Sequence, residues 1–243
     1  MNFQFDNIHF DDIQYMRTPF PHCVIESFFE ENVAELLLSN IESLKLKDSN
    51  HQFVNKFSSN EFNKFAFSDI EKLPPQLKDV FLFLNSKEFV ANIEKLTGIS
   101  DIIYGDCNLR GAGVHIIKKN GFLKMHTDFN TYIHPEFGKL DRRINLLLYM
   151  NKNWKSEYKG DLILYNPKNK QEIKRVTPSF NRCVIFNTTN KSVHGHPEAL
   201  NVPSDDMFRK SIAVYYYTKN KNKDHDFEGD PTHSTIWHKD PDI

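Results

Sequence analysis

The sequence lacks the marks of several large classes of protein. No run of 18 apolar residues occurs, so no membrane-spanning helix is expected. Cysteine is scarce: Cys23, Cys107 and Cys183 are odd in number and far apart. That excludes a disulfide framework and a Cys-x-x-Cys metal knuckle, and reduced, buried thiols are expected. The opening M-N-F-Q-F-D-N-I-H-F-D-D has neither the basic start nor the apolar middle of a signal peptide, so a cytoplasmic protein is expected. Charge of one sign is lacking too. Lys and Arg number 31 and Asp and Glu 32, for a formal net charge of −1. Nothing in that balance favours nucleic acid, and no acidic tail is present. Lysines gather at Lys168 to Lys174 and Lys219 to Lys223, where a solvated surface is the simplest reading. Internal repeats and linker-like stretches are absent.

What is present is a globular composition, 39% hydrophobic and 26% charged over 243 residues. That length is ample for a sizeable core. The 21 phenylalanines and 9 tyrosines suit a β-rich interior. The first part of the chain reads as a strand at 20–29 and then as helices. Val33, Leu36, Leu37, Ile41 and Leu44 recur at helical steps across Glu30 to Lys47, with Glu30 and Glu31 at its start and Lys45 and Lys47 at its end. Residues 48–70 are polar with interspersed phenylalanines and read as a covering loop or irregular segment. Pro74-Pro75 opens a second helix with Leu77, Phe81 and Leu84 inward. Ser86 caps a third, with Phe89, Val90, Ile93 and Leu96 inward, stopped at Thr97-Gly98.

From residue 99 the pattern becomes one of short strands: 102–104, 108–118, 122–129, 143–150, 160–165, 172–176, 182–187 and 211–218. Turn signals such as Lys119-Asn120-Gly121, Pro135 to Gly138 and Asn166-Pro167 separate them. Many short punctuated strands predict a sandwich or barrel, and helices before strands predict an α+β fold with the helices outside. The last stretch, H-S-T-I-W-H-K-D-P-D-I, is read as a tail that straps back through Trp237.

Within this frame stands G-F-L-K-M-H-T-D-F-N, residues 121–130. On a strand, His126 and Asp128 point to one face and can grip one ion. The pattern His-any-Asp also occurs at His9/Asp11 and His238/Asp240, but only His126/Asp128 lies inside the strand-rich region. Two histidines and a carboxylate on one face of an iron ion leave positions open for chemistry. A later strand, in V-I-F-N-T-T-N-K-S-V-H-G-H-P, offers His194 or His196 as the third ligand, and spacing does not choose between them. Arg209, in F-R-K-S-I-A-V-Y-Y-Y, suits the far carboxylate of a dicarboxylate through paired charged hydrogen bonds. Ser211 and Ala213 share its face.

The ordered series H-T-D, R-R-I-N-L-L-L-Y-M-N-K-N-W, K-G-D-L-I-L-Y, N-R-C-V-I-F, V-H-G-H and R-K-S-I-A-V-Y-Y-Y, over about residues 107–218, resembles the 2-oxoglutarate- and Fe(II)-dependent oxygenases of the prolyl 4-hydroxylase type. The resemblance implies a double-stranded β-helix (jelly-roll) core with N-terminal supporting helices. It implies one domain over 1–243, with 1–98 the helical support, 99–219 the catalytic core and 220–243 the tail. It makes His126, Asp128 and His194 the catalytic metal ligands, because the family's distal histidine follows the phenylalanine of the N-R-x-x-x-F strand by eight residues, and Phe186 plus eight is His194. Arg209 and Tyr149 are implied to bind the 2-oxoglutarate C5 carboxylate, with Asn145 and Leu147 lining the same pocket. The family's tyrosine about ten residues before the first histidine is replaced by Ile116, and the neighbouring His115 is a candidate for part of its role. Lys159-Gly160 replaces the common Gly-Gly, and the gap from His194 to Arg209 is longer than usual. The implied cofactors are Fe(II), 2-oxoglutarate and O2, with ascorbate as a stimulant. The implied reaction is hydroxylation of an unactivated C–H bond, foremost on a peptide or protein proline. The alternatives are a free amino acid, sugar or other small molecule as substrate, or a jelly-roll metal-binding module without activity. The presence of Asp128 favours hydroxylation over halogenation. Substrate and oligomeric state are not specified by these residues.

Overall fold

The computed structural model describes residues 8, 10, 12–44, 54–56, 58–106, 108–167, 173–219 and 231–240. Strand β1 (His22–Ile25) and helix α1 (Glu31–Ser43) come first. Val33, Ala34, Leu37, Leu38 and Ile41 recur at helical steps and are the buried stripe of α1. Both elements are shorter than the periodicity predicts, and Lys45 and Lys47 lie outside the described residues.

The segment read as a covering loop is instead a β-hairpin, β2 (Val54–Lys56) and β3 (Glu61–Phe67). Its own sequence is too polar to announce a strand. It is a strand because β3 adds to an edge supplied far along the chain, pairing Phe65 with Ile116 and Phe67 with Val114. Gly113 permits that approach: at φ +113° it has no Cβ to meet the Phe67 carbonyl oxygen, which would stand only 2.0 Å away.

Helices α2 (Pro75–Leu84) and α3 (Lys87–Thr97) follow as expected. Pro75 occupies the first turn of α2, where its missing N–H costs nothing. The Ser86 hydroxyl accepts from the Phe89 N–H at 3.2 Å to start α3, and Gly98 at φ +73° ends it. None of the described helices is long and apolar enough to cross a membrane.

The remaining strands are β4 (Gly113–Thr127), β5 (Thr131–His134), β6 (Gly138–Tyr149), β7 (Leu162–Tyr165), β8 (Ile173–Val176), β9 (Arg182–Asn187), β10 (Val193–His196), β11 (Arg209–Thr218) and β12 (Ile236–Trp237). The two strands expected around Lys119-Asn120-Gly121 are one. β4 runs through this turn signal, and Asn120 takes up the kink at φ +61°. Residues 102–104 supply only a bridge, from Ile102 to Thr218.

The sheet runs β1-β9-β6-β11-β4-β10-β7-β8, with β3 and β12 also on β4. Its antiparallel strands curl into a jelly roll with the helices on one side. The N-terminal half of β4 pairs with β11 and β3, and its C-terminal half with β10 and β12. One strand therefore serves both layers. Alternation on β6 sorts the core. Ile144, Leu146 and Leu148 pack toward Leu77, Phe81 and Phe89 of the helical layer. Tyr149 and Leu147 face the interior with Leu162, Leu164, Val184 and Phe186.

Candidate metal centre

Strand pairing assembles the centre. His194 on β10 stands opposite His126 on β4, and directly opposed residues share a face. Their rings lie 4.4 Å apart, centroid to centroid. Asp128 follows just past the end of β4. One ligand atom from each of His126, Asp128 and His194 lies within 4.8 Å of the others, and all three residues are buried. His196 falls beyond an irregularity in register, opposite Leu123.

Two main-chain contacts set the histidine tautomers. His126 Nδ1 lies 2.8 Å from the Lys124 carbonyl oxygen, and His194 Nδ1 lies 3.0 Å from that of Ser192. A carbonyl only accepts, so each Nδ1 carries the proton and each Nε2 presents a lone pair to the centre. Those lone pairs face Asp128, His126 Nε2 at 3.6 Å from Oδ1 and His194 Nε2 at 3.3 Å from Oδ2. Lone pairs converging on a carboxylate form a donor set for a cation.

Asp128 is held from behind. Asn145 Nδ2 donates to Oδ2 at 2.7 Å, and Arg142 Nη2 lies 2.9 Å from the same oxygen. Burial pushes the carboxyl pKa up. The Arg142 guanidinium, foremost, outweighs burial and holds it well below the usual range. Arg142 is itself buried, donating to Asn145 Oδ1 at 2.6 and 3.0 Å. Its Cζ lies 3.4 Å from the Tyr215 ring centroid and 4.6 Å from that of Phe129.

The centre opens into a cavity that runs between the sheet layers. Arg209 and Tyr149 line it together. Arg209 Nη2 reaches the Tyr149 hydroxyl at 3.4 Å, and its Nε donates to the Gly160 carbonyl at 2.8 Å. Gly160 makes room for this: a Cβ there would lie 2.5 Å from Leu200 Cδ2 and 3.2 Å from Arg209 Cδ. The cavity thus brings together His126, Asp128, His194, Asn145, Leu147, Tyr149 and Arg209, all singled out in the sequence. His115 and His196 also line it. His115 Nε2 is 3.1 Å from the Gly111 carbonyl oxygen, while Ile116 turns to the helical layer.

Three features were not legible as site residues. Arg142 sits in the R-R pair, and no spacing links it to Asp128. Lys64 lines the cavity from β3, in the segment read as a cover. Trp237 is part of the expected strap, but its place beside the metal ligands was not foreseen. β12 pairs Trp237 with His126, their rings 5.2 Å apart. The strap is tied by Asn130, whose Nδ2 donates to the Pro231 carbonyl at 2.8 Å and whose Oδ1 accepts from the His233 N–H at 2.9 Å. His238 and Asp240, the third His-any-Asp pair, serve the strap too: the His238 N–H donates to the Met125 carbonyl at 2.8 Å. His9 and Asp11 lie outside the described residues, as does Cys107.

A family model described as the 2OG-Fe(II) oxygenase superfamily matches residues 112–217, the span holding every cavity residue except Lys64. Over those residues the chain is similar to the 2OG-Fe(II) oxygenase superfamily. Solved structures share its fold. A prolyl hydroxylase from Trichoplax adhaerens, in complex with a hypoxia inducible factor oxygen degradation domain peptide fragment, matches with a TM-score of 0.58 at 17% identity, over 81% of this chain and 83% of that one. A Pseudomonas putida prolyl-4-hydroxylase matches at 0.56 and 14% identity, over 82% and 92% of the two chains. HygX from Streptomyces hygroscopicus, with nickel, 2-oxoglutarate and hygromycin B bound, matches at 0.52 and 13% identity, over 89% and 93%. At such identities the likeness is one of fold. No curated protein sequence matches the chain. The donor set of the centre, two imidazoles and one carboxylate, has the composition that suits non-haem Fe(II) with positions left open.

Proposed function

We propose that the protein is a 2-oxoglutarate-dependent dioxygenase whose Fe(II) is held by His126, Asp128 and His194, and that it hydroxylates a proline C–H bond in a peptide or protein. The observation that carries this reading is the placement of a two-histidine, one-carboxylate donor set and an Arg209–Tyr149 pair in one cavity. When bound, iron with 2-oxoglutarate and O2 supplies the oxidation: one oxygen atom enters the substrate C–H bond, and the other leaves in succinate as CO2 is released.

The chain's own residues bind, orient and exclude water. The Lys124 and Ser192 carbonyls keep each imidazole turned with Nε2 inward. Asn145 and Arg142 occupy Asp128 Oδ2, so Oδ1 is the oxygen freer to ligate. Arg209 and the Tyr149 hydroxyl receive the far carboxylate of 2-oxoglutarate. Leu147 and Leu162 give the cavity dry walls that strengthen those charged contacts. The same reading takes 1–243 as one catalytic unit, with 1–98 supporting the core at 99–219 and the tail from 220 contributing the strap.

The test is reconstitution with Fe(II) under anaerobic conditions, followed by exposure to air with 2-oxoglutarate and a panel of proline-containing peptides, free amino acids and sugars. Succinate formed in step with a product heavier by one oxygen atom is the expected result, with the peptides reacting best. Coupled turnover confined to a small molecule would replace the peptide part of the proposal. Metal binding with no oxygen-dependent succinate would overturn the enzyme reading in favour of a binding module.

A further inference from the structure

His196 is a polar side chain of the cavity that the proposed function leaves unused. It is 3% exposed, and neither ring nitrogen hydrogen-bonds another residue. Its neighbours in the cavity wall are committed. His115 Nε2 is engaged with Gly111, Asn145 with Asp128, the Tyr215 hydroxyl with Gly111 and Arg209 Nε with Gly160. A buried donor left unpaired costs roughly 1–3 kcal/mol, so a ring in this state is one that a ligand satisfies.

Its location says which part of a ligand. His196 lies two residues past His194 on β10, on the same side of the strand. The β10–β7 register runs from His194 opposite Leu164 to Gly195 opposite Ile163, toward Gly160, whose carbonyl oxygen accepts from Arg209 Nε at 2.8 Å. A neutral imidazole offers one N–H donor, and His196 lines the same cavity as Arg209. The middle of a 2-oxoglutarate chain is two methylenes and accepts nothing. The acceptor nearest this end of the cavity is the carboxylate remote from the metal.

We infer that His196 is a third anchor, with Arg209 and Tyr149, for the far carboxylate of the dicarboxylate cosubstrate, and that it makes this cavity discriminate between dicarboxylic and monocarboxylic 2-oxo acids. This rests on the function proposed above and adds to it a specificity-determining residue. Lys64, on the hairpin, adds positive charge to the same end without needing direct contact.

The test compares two ligands on full-length, Ni(II)-loaded protein by titration calorimetry, which needs no turnover. One is 2-oxoglutarate, the other 2-oxopentanoate, equal in carbon count but lacking the far carboxylate. His196→Phe and His196→Leu are expected to weaken 2-oxoglutarate binding on the order of ten- to hundredfold, the range for a lost hydrogen bond to a charged group, and to leave 2-oxopentanoate binding unchanged. His196→Asn, which keeps an N–H donor, is expected to recover part of the loss. Metal content per chain and the thermal midpoint control for folding. Unchanged 2-oxoglutarate binding in the Phe and Leu variants overturns the inference, and so does an equal loss for both ligands, which would mark a merely structural role. If the wild-type protein binds metal but neither ligand, the function proposed above fails as well, so the two failures are told apart.

Discussion

Two main-chain carbonyls decide how the histidines of the centre can act, because each takes the Nδ1 proton and frees Nε2. Removing a ligand outright, as in His194→Ala, is expected to weaken metal binding by more than about a hundredfold, since merely disturbing a ligand's partner costs about ten- to a hundredfold. Metal analysis after dialysis reads this directly. Asn145→Ala falls in that smaller class, because Asn145 acts on the centre only through its hydrogen bond to Asp128 Oδ2. It is expected to lower metal affinity about tenfold or more while leaving the fold intact. Arg142 is different again. It is buried against the Asp128 carboxylate, and Arg142→Met would leave a buried charge without its cation. A loss of about 3–5 kcal/mol in unfolding free energy is expected, measured by urea titration of the metal-free protein.

At the scale of elements, β4 carries the most. It is shared by both layers and receives β3, β10, β11 and β12. Gly113→Ala would drive a Cβ into the Phe67 carbonyl at a positive φ, and should cost about 2–4 kcal/mol by expelling the hairpin that carries Lys64. Urea unfolding gives the loss. The strap has a gentler test. Asn130→Ala removes two of its ties, worth about 1–2 kcal/mol together. In a Trp154→Phe background, Trp237 is the sole tryptophan, and its fluorescence is expected to become more accessible to a soluble quencher. An unchanged quenching constant would show that the strap is held by other contacts. The helices, the Ser86 and Gly98 caps and β7, β8, β9 and β11 were legible beforehand, because each follows from local periodicity and turn residues. The hairpin was not. Residues 61–67 form a strand only beside an edge made by β4, and no local pattern encodes a distant edge.

For the whole molecule, acid is the informative stress. His115 is buried and neutral: burial first, then the charge of Lys64, lowers its pKa from 6.5 to about 3. The unfolded chain binds that proton near 6.5, so below this pH the unfolded state holds a proton that the folded state lacks. Stability is therefore full above about 6.5 and falls as the pH drops toward about 3, by about 1.4 kcal/mol per pH unit for this one group. Asp128, with its pKa lowered, acts in the same direction. Metal-free protein is expected to be less stable by about 2 kcal/mol at about pH 5 than at about pH 7.5 from His115 alone, read as a shift in urea midpoint. His115→Phe should flatten that slope.

By itself the sequence determined the residue types of the centre and the order in which they arrive along the chain. His126 and Asp128 are two residues apart on a strand, and strand geometry alone puts them on one face. For His194 over His196 the resemblance made the choice, and the tertiary structure adds that His194 falls opposite His126 and clusters with it and Asp128. It also decided what holds Asp128, which charge joins Arg209, and where Trp237 comes to rest. These contacts join residues far apart in the chain, 17 positions for Asn145 and Asp128 and 111 for Thr127 and His238. Local propensity cannot say which strand edges will meet, and pairing between edges is what built the centre.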